Sequence, residues 1–229
     1  MSDTLSHVSL SGVAFGLFLG FSPTISTVIV VIIAAVFLEY LRTVYKDFME
    51  IGTAILMSTG LALALVIMKG GGKSSMSLDQ YLFGSTLTIT DEQVLALFII
   101  AAIVLVLTIL FIRPMYILTF DEDTAYVDGL PVRLMSILFN IVTGVAIALM
   151  IPAAGSLLVS TIMVLPASIA LKLGKTFRSV MLLAVVIGFV GMVSGLILSY
   201  YPDTPVSATI TLLFVSFFLL SNLFVKFRK

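Results

Sequence analysis

Long apolar blocks separated by short polar connections make up most of this chain. Each block has about twenty residues, the length that an α-helix needs to cross the hydrocarbon layer of a membrane. The blocks are apolar on all sides, whereas membrane strands alternate apolar and polar residues, so the pattern predicts helices. The eight predicted spans cover residues 5–20, 23–41, 51–69, 93–112, 134–151, 154–172, 178–200 and 206–225. The predicted fold is all-α, a polytopic transmembrane helical bundle of about eight spanning helices that forms one domain over residues 1–229.

The composition supports a membrane protein and excludes several kinds of site. Hydrophobic residues make up 60% of the chain and charged residues 10%, too few to cover the surface of a water-soluble fold of this size. The absence of cysteine excludes disulfides and thiolate metal sites. No basic patch with interleaved aromatic residues is present, so lipid is the expected environment and nucleic acid is not an expected partner.

The distribution of positive charge predicts which connections face the cytoplasm. Short loops rich in Lys and Arg stay on the cytoplasmic side of the membrane. With the connection at residues 113–133 placed inside, Lys69 and Lys73 are the only two of the twelve Lys and Arg residues that fall outside. Both ends of the chain then face the cytoplasm.

Two connections between the predicted spans are longer than turns. The outer one, residues 70–92, contains the apolar stretch Tyr81-Leu82-Phe83-Gly84-Ser85, which is predicted to dip into the membrane or to cover an outer cavity. In the inner one, Phe120 and a run of acidic residues that starts at Asp121 begin a short helix, and Gly129 and Pro131 end it.

The segment Gly72-Lys73-Ser74 resembles the end of a phosphate-binding loop. Ile67 stands where the first glycine of that loop is required, and a spanning helix precedes the segment in place of a strand. We therefore expect no ATPase site in this chain and no enzymatic activity of its own.

Ionisable residues at membrane depth are costly and mark candidate functional sites, and this chain has very few of them. Asp3 and His7 are four residues apart, so they share one helix face, where a carboxylate oxygen and an imidazole nitrogen can bind one cation. The alternative is that Asp3 caps a helix and His7 is a polar residue near the interface. The residues alone leave these two interpretations open.

Other polar and small residues in the spans have structural explanations. Glu39 and Arg42 are interpreted as snorkelling side chains that form an i,i+3 pair, and no site is assigned to them. Asn140 and Thr143 are expected to form hydrogen bonds between helices, with substrate contact as a secondary role. Glycines repeat at four-residue spacing in the first span and are predicted to pack helices closely: Gly12, Gly16 and Gly20.

Four segments of the chain, taken in order, resemble the permease subunits of bacterial zinc and manganese ABC importers, the ABC-3 metal-uptake family. They are Asp3-Thr4-Leu5-Ser6-His7 with Gly12, then Tyr81-Leu82-Phe83-Gly84-Ser85, then Phe120-Asp121 with Ala125 and Gly129-Leu130-Pro131-Val132, and last Gly155-Ser156-Leu157-Leu158-Val159-Ser160 with Leu165-Pro166-Ala167. In the family a further helix precedes the first segment, and we expect either a different start or a truncated form.

This resemblance implies a function and a set of partners. The chain would be the membrane subunit of a prokaryotic importer that takes up Zn²⁺ or Mn²⁺, the cargo, without a bound cofactor. The implied partners are an ABC ATPase, an extracytoplasmic metal-binding protein and a second permease copy. Asp3 and His7 would be the metal ligands, and five residues would form the loop that docks on the ATPase: Phe120, Asp121, Ala125, Gly129 and Pro131.

Three other functions fit parts of the pattern. A permease for chelated iron or cobalamin would share the architecture but would need a wider cavity. A secondary metal carrier would transport without any ATPase. A truncated membrane protein without transport activity is the third alternative.

Overall fold

Ten α-helices make up the part of the chain that the structure describes. The structure is a computed structural model, and it describes residues 2–45, 48–70, 78–84, 89–120, 122–200 and 204–228. The helices are α1 (Ser2–Leu19), α2 (Pro23–Val44), α3 (Met49–Gly70), α4 (Leu78–Phe83), α5 (Asp91–Phe120), α6 (Glu122–Val127), α7 (Val132–Ala154), α8 (Ser156–Leu173), α9 (Phe177–Tyr200) and α10 (Val206–Arg228). No strand occurs within these ranges, and the all-α prediction is confirmed.

Seven of these helices are long and apolar enough to cross a membrane: α2, α3, α5, α7, α8, α9 and α10. A shorter apolar helix, Asp3–Leu19, lies within α1 and corresponds to the first predicted span. The short helices α4 and α6 lie in the two long connections. The chain is therefore a multi-pass membrane protein, as the pattern of apolar blocks predicts.

Helix α5 extends beyond its prediction, which ended the span at residue 112. The helix continues through Pro114 to Phe120 and is 30 residues long. Proline removes one backbone hydrogen bond from a helix, a loss that membrane helices tolerate when neighbouring groups compensate. The rings of Tyr116 and Phe120 pack one turn apart, with centroids separated by 4.9 Å, and stabilise the last turns.

The helices form two compact units. The first contains α1, α2, α3, α5, α6 and α7 as far as Met150, and the second contains α4, the last residues of α7 and α8 to α10. The organisation of residues 1–229 as one domain stays a prediction.

In the first unit, α1 packs against both α2 and α3, and glycines allow the close approach. A Cβ atom at Gly12 would lie 2.5 Å from the Cα of Thr27 on α2. A Cβ atom at Gly60 of α3 would lie 2.8 Å from the Cα of Val8. Real side-chain atoms do not approach a backbone so closely, so only glycine fits at these contacts.

The C-terminal end of α1 uses its two glycines in different ways. Gly16 is a packing residue, because a Cβ atom there would lie 2.8 Å from the Cα of Pro23. Gly20 has a φ of +72° and no atom within 4 Å of its Cβ position. The backbone N–H of Phe21 donates to the carbonyl of Gly16 at 2.9 Å and closes the helix end. The predicted packing role of Gly20 is therefore corrected, because the residue supplies a left-handed turn.

In the second unit, α8, α9 and α10 pack around Leu158, Ile210 and Phe214. Helix α4 packs against α8, where Gly84 and Gly155 meet at left-handed φ angles of +69° and +80°. A Cβ atom at either glycine would overlap the backbone of the other segment. Two of the segments on which the family resemblance depends are therefore in direct contact.

Candidate functional site

Asp3 and His7 lie on one face of α1, as their spacing predicts. The Nε2 atom of His7 is 3.7 Å from Oδ1 of Asp3, and the side chains are 31% and 52% exposed, respectively. Two ligands that each lie about 2.0–2.2 Å from a metal ion are about 3–3.5 Å apart at usual coordination angles. A small side-chain rotation would therefore bring both atoms onto one ion. Asp3 also lies in the first turn of α1, where a carboxylate stabilises the positive end of the helix dipole.

The pair supplies only part of a coordination shell. Among the described residues, no group of three or more His, Cys, Asp and Glu side chains is close enough to hold a metal ion. Zinc sites usually have four ligands, of which catalytic sites leave one to water. Asp3 and His7 can therefore bind an exchangeable ion, with the remaining donors supplied by water or by another molecule.

The opposite side of the same helical turn contacts α7. Leu5, which lies between the two candidate ligands in sequence, is fully buried. A Cβ atom at Gly144 of α7 would lie 3.5 Å from Cδ1 of Leu5 and 2.5 Å from Cγ1 of Val31 on α2. Gly144 of α7 thus contacts side chains of both α1 and α2 at the level of the candidate ligands.

Helix α6 is the short helix that was predicted for the inner connection. Tyr126 and Val127 are 77% and 84% exposed, and Phe120 at the end of α5 is also exposed, so apolar side chains face outward here. Ala125 is fully buried and cannot contact a partner directly. Asp121 lies outside the described residues, as does the segment Gly72-Lys73-Ser74.

A hydrogen-bonded turn joins α6 to α7. The N–H of Leu130 donates to the carbonyl of Ala125, and the N–H of Gly129 donates to that of Tyr126, both at 3.1 Å. These two bonds and the φ of +75° at Gly129 form a Schellman motif. The carbonyl of Pro131 then accepts the N–H of Met135 at 3.0 Å and starts α7. Gly129 and Pro131 therefore shape the connection, whereas Tyr126 and Val127 form its exposed surface.

A polar cluster near the C-terminal end of α2 was not predicted. Glu39 is only 4% exposed, and its Oε2 atom accepts hydrogen bonds from Oγ of Ser136 at 2.7 Å and Nδ2 of Asn140 at 3.1 Å. Its Oε1 atom is 3.4 Å from Nη1 of Arg42, which also donates to Ser136 at 2.8 Å. The cluster joins α2 to the first turns of α7.

The interpretation of Glu39 as a snorkelling side chain is wrong, because a buried carboxylate does not reach the interface. Its i,i+3 pairing with Arg42 and the interhelical hydrogen bond of Asn140 are confirmed. The partners on α7 are 97 and 101 residues away in sequence, so no local pattern indicates them. The available signal was the i,i+4 spacing of Ser136 and Asn140 at the start of an apolar span.

Sequence and structure comparisons identify the relatives of this chain. It matches the ABC 3 transport family over residues 1–225. It is 29% identical to the high-affinity zinc uptake system membrane protein ZnuB of Haemophilus influenzae, over 96% of this chain and 84% of that protein. It is 28% identical to the manganese import system permease protein ScaB of Streptococcus parasanguinis, over 96% of this chain and 79% of that protein.

A solved structure has the same fold. A chain of PsaBC from Streptococcus pneumoniae, determined in complex with a Fab, superposes with a TM-score of 0.82 at 28% identity. The similarity covers 96% of this chain and 79% of the PsaBC chain. Together with the match over residues 1–225, these relatives show that the chain belongs to the ABC 3 transport family, as a membrane permease subunit of a metal importer in which a separate subunit hydrolyses ATP.

Proposed function

We propose that this permease conducts Zn²⁺ or Mn²⁺ and that Asp3 and His7 are its ion ligands. The observation that supports this most directly is the 3.7 Å separation of His7 Nε2 and Asp3 Oδ1 on one partly exposed helix face. A bare divalent cation cannot cross hydrocarbon, so its path needs a few ligands that admit the ion and also release it. Two ligands of moderate strength per copy meet that requirement.

The two donor atoms accept either metal. Imidazole nitrogen suits zinc, and carboxylate oxygen suits both zinc and manganese. At a given site of nitrogen and oxygen donors zinc binds more tightly than manganese, so the ligand types favour zinc when both ions are present. A second copy of the chain would carry its own Asp3 and His7.

The energy for transport comes from the ATPase subunit, and we place its contact at α6. An extracytoplasmic binding protein delivers the ion, and nucleotide-driven closure of the ATPase moves α6 and the attached spans, so that the path opens to each side in turn. The side chains of Tyr126 and Val127 on α6 support this contact, because they are 77% and 84% exposed. In this proposal Phe120 borders the docking surface, and Gly129 and Pro131 fix the angle of the turn into α7.

The experiment that tests the ion site is metal uptake into vesicles that contain the permease, its ATPase and its binding protein. We expect His7→Ala and Asp3→Asn each to abolish most zinc and manganese uptake without reducing assembly of the complex. Asp91→Asn is the matched control, because Asp91 is an exposed carboxylate in the first turn of another helix, α5. Undiminished uptake by the His7 variant would contradict the assignment.

A competition assay in the same vesicles identifies the cargo. Excess Zn²⁺ should suppress Mn²⁺ uptake, and the reverse suppression should be weaker, because zinc binds N/O sites more tightly. A permease for chelated iron or cobalamin would respond to neither free ion.

A further inference from the structure

The buried cluster around Glu39 holds α2 and α7 together by hydrogen bonds, although apolar packing would hold two helices together as well. A buried carboxylate carries a desolvation cost, and replacing a buried ion pair by apolar residues is often neutral for stability. Polar groups buried between two helices can, in contrast, fix the register of one helix against the other. The stability of the bundle alone therefore does not explain why a carboxylate lies at this position.

The cluster lies between α7, which follows α6, and α2, which packs on α1. On one side, α7 follows α6 through the hydrogen-bonded turn that ends at Pro131, and Ser136 and Asn140 are in its first turns. On the other side, α2 packs along α1, with Thr27 against Gly12. The hydrogen bonds of Glu39 are therefore a direct link between α7, which follows α6, and α2.

A second contact of α7 depends on the same register between α7 and α2. One turn beyond Asn140, Gly144 packs against Val31 and Leu5, and Leu5 lies between Asp3 and His7 in sequence. A glycine contact against branched side chains transmits force only while the two helices stay in register. If α7 slid along α2, the turn that holds the ligand pair would lose its support.

We propose that Glu39 is a positioning residue for transport: its hydrogen bonds to Ser136 and Asn140 keep α7 in register with α2, so that movement of α6 reaches the helical turn with Asp3 and His7. This inference rests on the proposed function, because it assumes that a partner moves α6. Glu39 itself contacts no cargo ion. It acts through α2 and α7.

The test is the number of metal ions taken up per ATP hydrolysed, in vesicles that contain the complete importer and either Zn²⁺ or Mn²⁺. In Glu39→Leu/Asn140→Leu, an apolar contact replaces the carboxylate and its amide partner, and the 28% exposed side chain of Arg42 can extend to the interface. We expect normal assembly and about a tenfold loss of uptake per ATP, within the range by which substitutions in a network change coupling.

Two further variants test whether the loss of coupling comes from the positioning role of Glu39, from misfolding or from the loss of a negative charge. Glu39→Gln keeps an oxygen that accepts from Ser136 and Asn140, so it should retain coupling to within about twofold. Glu50→Gln alters an exposed carboxylate in the first turn of α3 and should resemble the wild type. The inference is overturned if the double leucine variant couples normally, if Glu39→Gln loses coupling to the same extent, or if uptake falls only in proportion to the amount of assembled protein.

A distance measurement tests the positioning role of Glu39 without measuring metal uptake. The chain has no cysteine, so spin labels can be attached only at Val44→Cys on α2 and Leu134→Cys on α7, both exposed positions. With ATPase bound, their separation should stay constant through the nucleotide cycle in the wild type and change in the double leucine variant. Equal behaviour of the two proteins would refute the positioning role. Absence of zinc and manganese uptake by the wild type would refute only the proposed function.

Discussion

At the scale of single residues, the close contacts of α1 with its neighbours leave no room for a methyl group. Gly12→Ala would place a carbon atom 2.5 Å from the Cα of Thr27 and force the two backbones apart. We expect a loss of about 1–3 kcal/mol in stability, typical for overpacking at a tight contact. The measurement is the midpoint of thermal unfolding of the purified permease in detergent.

The control for this substitution is Gly70→Ala at the end of α3, where no atom lies within 4 Å of the Cβ position. This variant should unfold at the wild-type temperature. If the Gly12→Ala and Gly70→Ala variants have the same midpoint of thermal unfolding, the close contact of α1 with α2 does not determine the stability of the permease.

A second residue-scale prediction concerns the effect of pH on His7. Metal binding requires a neutral imidazole nitrogen, and a proton competes with the ion for that nitrogen. Uptake should therefore fall as the pH is lowered from about 8 to about 5. The assay keeps the binding protein saturated with metal throughout. A flat profile would count against His7 as a ligand.

The residues of the candidate site differ in how far the sequence predicts them. Asp3 and His7 are four apart on one helix, so spacing alone places them together. Glu39 and Asn140 are 101 residues apart, and their contact depends on how α7 packs on α2. A sequence pattern reports neighbours within one helix and does not report which helices are adjacent. For that reason the pair on α1 was predicted and the cluster on α2 was not.

At the scale of elements, the exposed surface of α6 predicts where coupling can be broken. Tyr126→Asp and Val127→Asp add a charge to an apolar docking surface, which an apolar partner groove would have to desolvate. We expect ATP hydrolysis to continue while metal uptake falls at least severalfold, about 1–2 kcal/mol of lost coupling. The measurement is uptake per ATP, with Lys175→Asp in the exposed α8–α9 connection as the control.

Ala125 is unsuitable for this test because its side chain is fully buried. An arginine at this position would uncouple ATP hydrolysis from uptake if the side chain faced the ATPase. Burial of a guanidinium group without a partner would instead disturb the packing of α6 and reduce assembly. A docking residue has to be exposed, and Tyr126 and Val127 satisfy that condition.

The helices themselves were largely predictable, because an apolar block of about twenty residues has few alternatives in a membrane. All eight predicted spans correspond to helices. The main error concerns the end of α5, where Arg113 and Pro114 resemble a stop signal. The helix continues because the six residues after Pro114 are mostly apolar and include the packed rings of Tyr116 and Phe120.

At the scale of the whole molecule, the family assignment predicts that transport depends on a second protein. Vesicles that contain only this permease should take up no zinc or manganese above the level of empty vesicles, with or without an ion gradient. Addition of the ATPase, the binding protein and ATP should start uptake. Gradient-driven uptake by the permease alone would instead indicate a secondary carrier.

Contacts between segments that are distant in the sequence were the hardest feature of the molecule to predict. Composition and hydropathy indicate a multi-pass membrane protein, and the four motif segments indicate the family. The contact of Gly84 with Gly155 joins two of those segments, although 70 residues lie between the two glycines in the sequence. Motif order along a chain carries no information about such contacts.

The buried hydroxyl side chains of α1 have a consequence for the insertion of the chain into the membrane. Thr4, Ser6, Ser9 and Ser11 are buried, and the hydroxyls of Ser9 and Ser11 donate to carbonyls of their own helix. A short helix with so many hydroxyls partitions weakly from the translocon into lipid when it is alone. The tight turn at Gly20 places α2 next to α1. We therefore expect α1 and α2 to insert into the membrane together, as one helical hairpin.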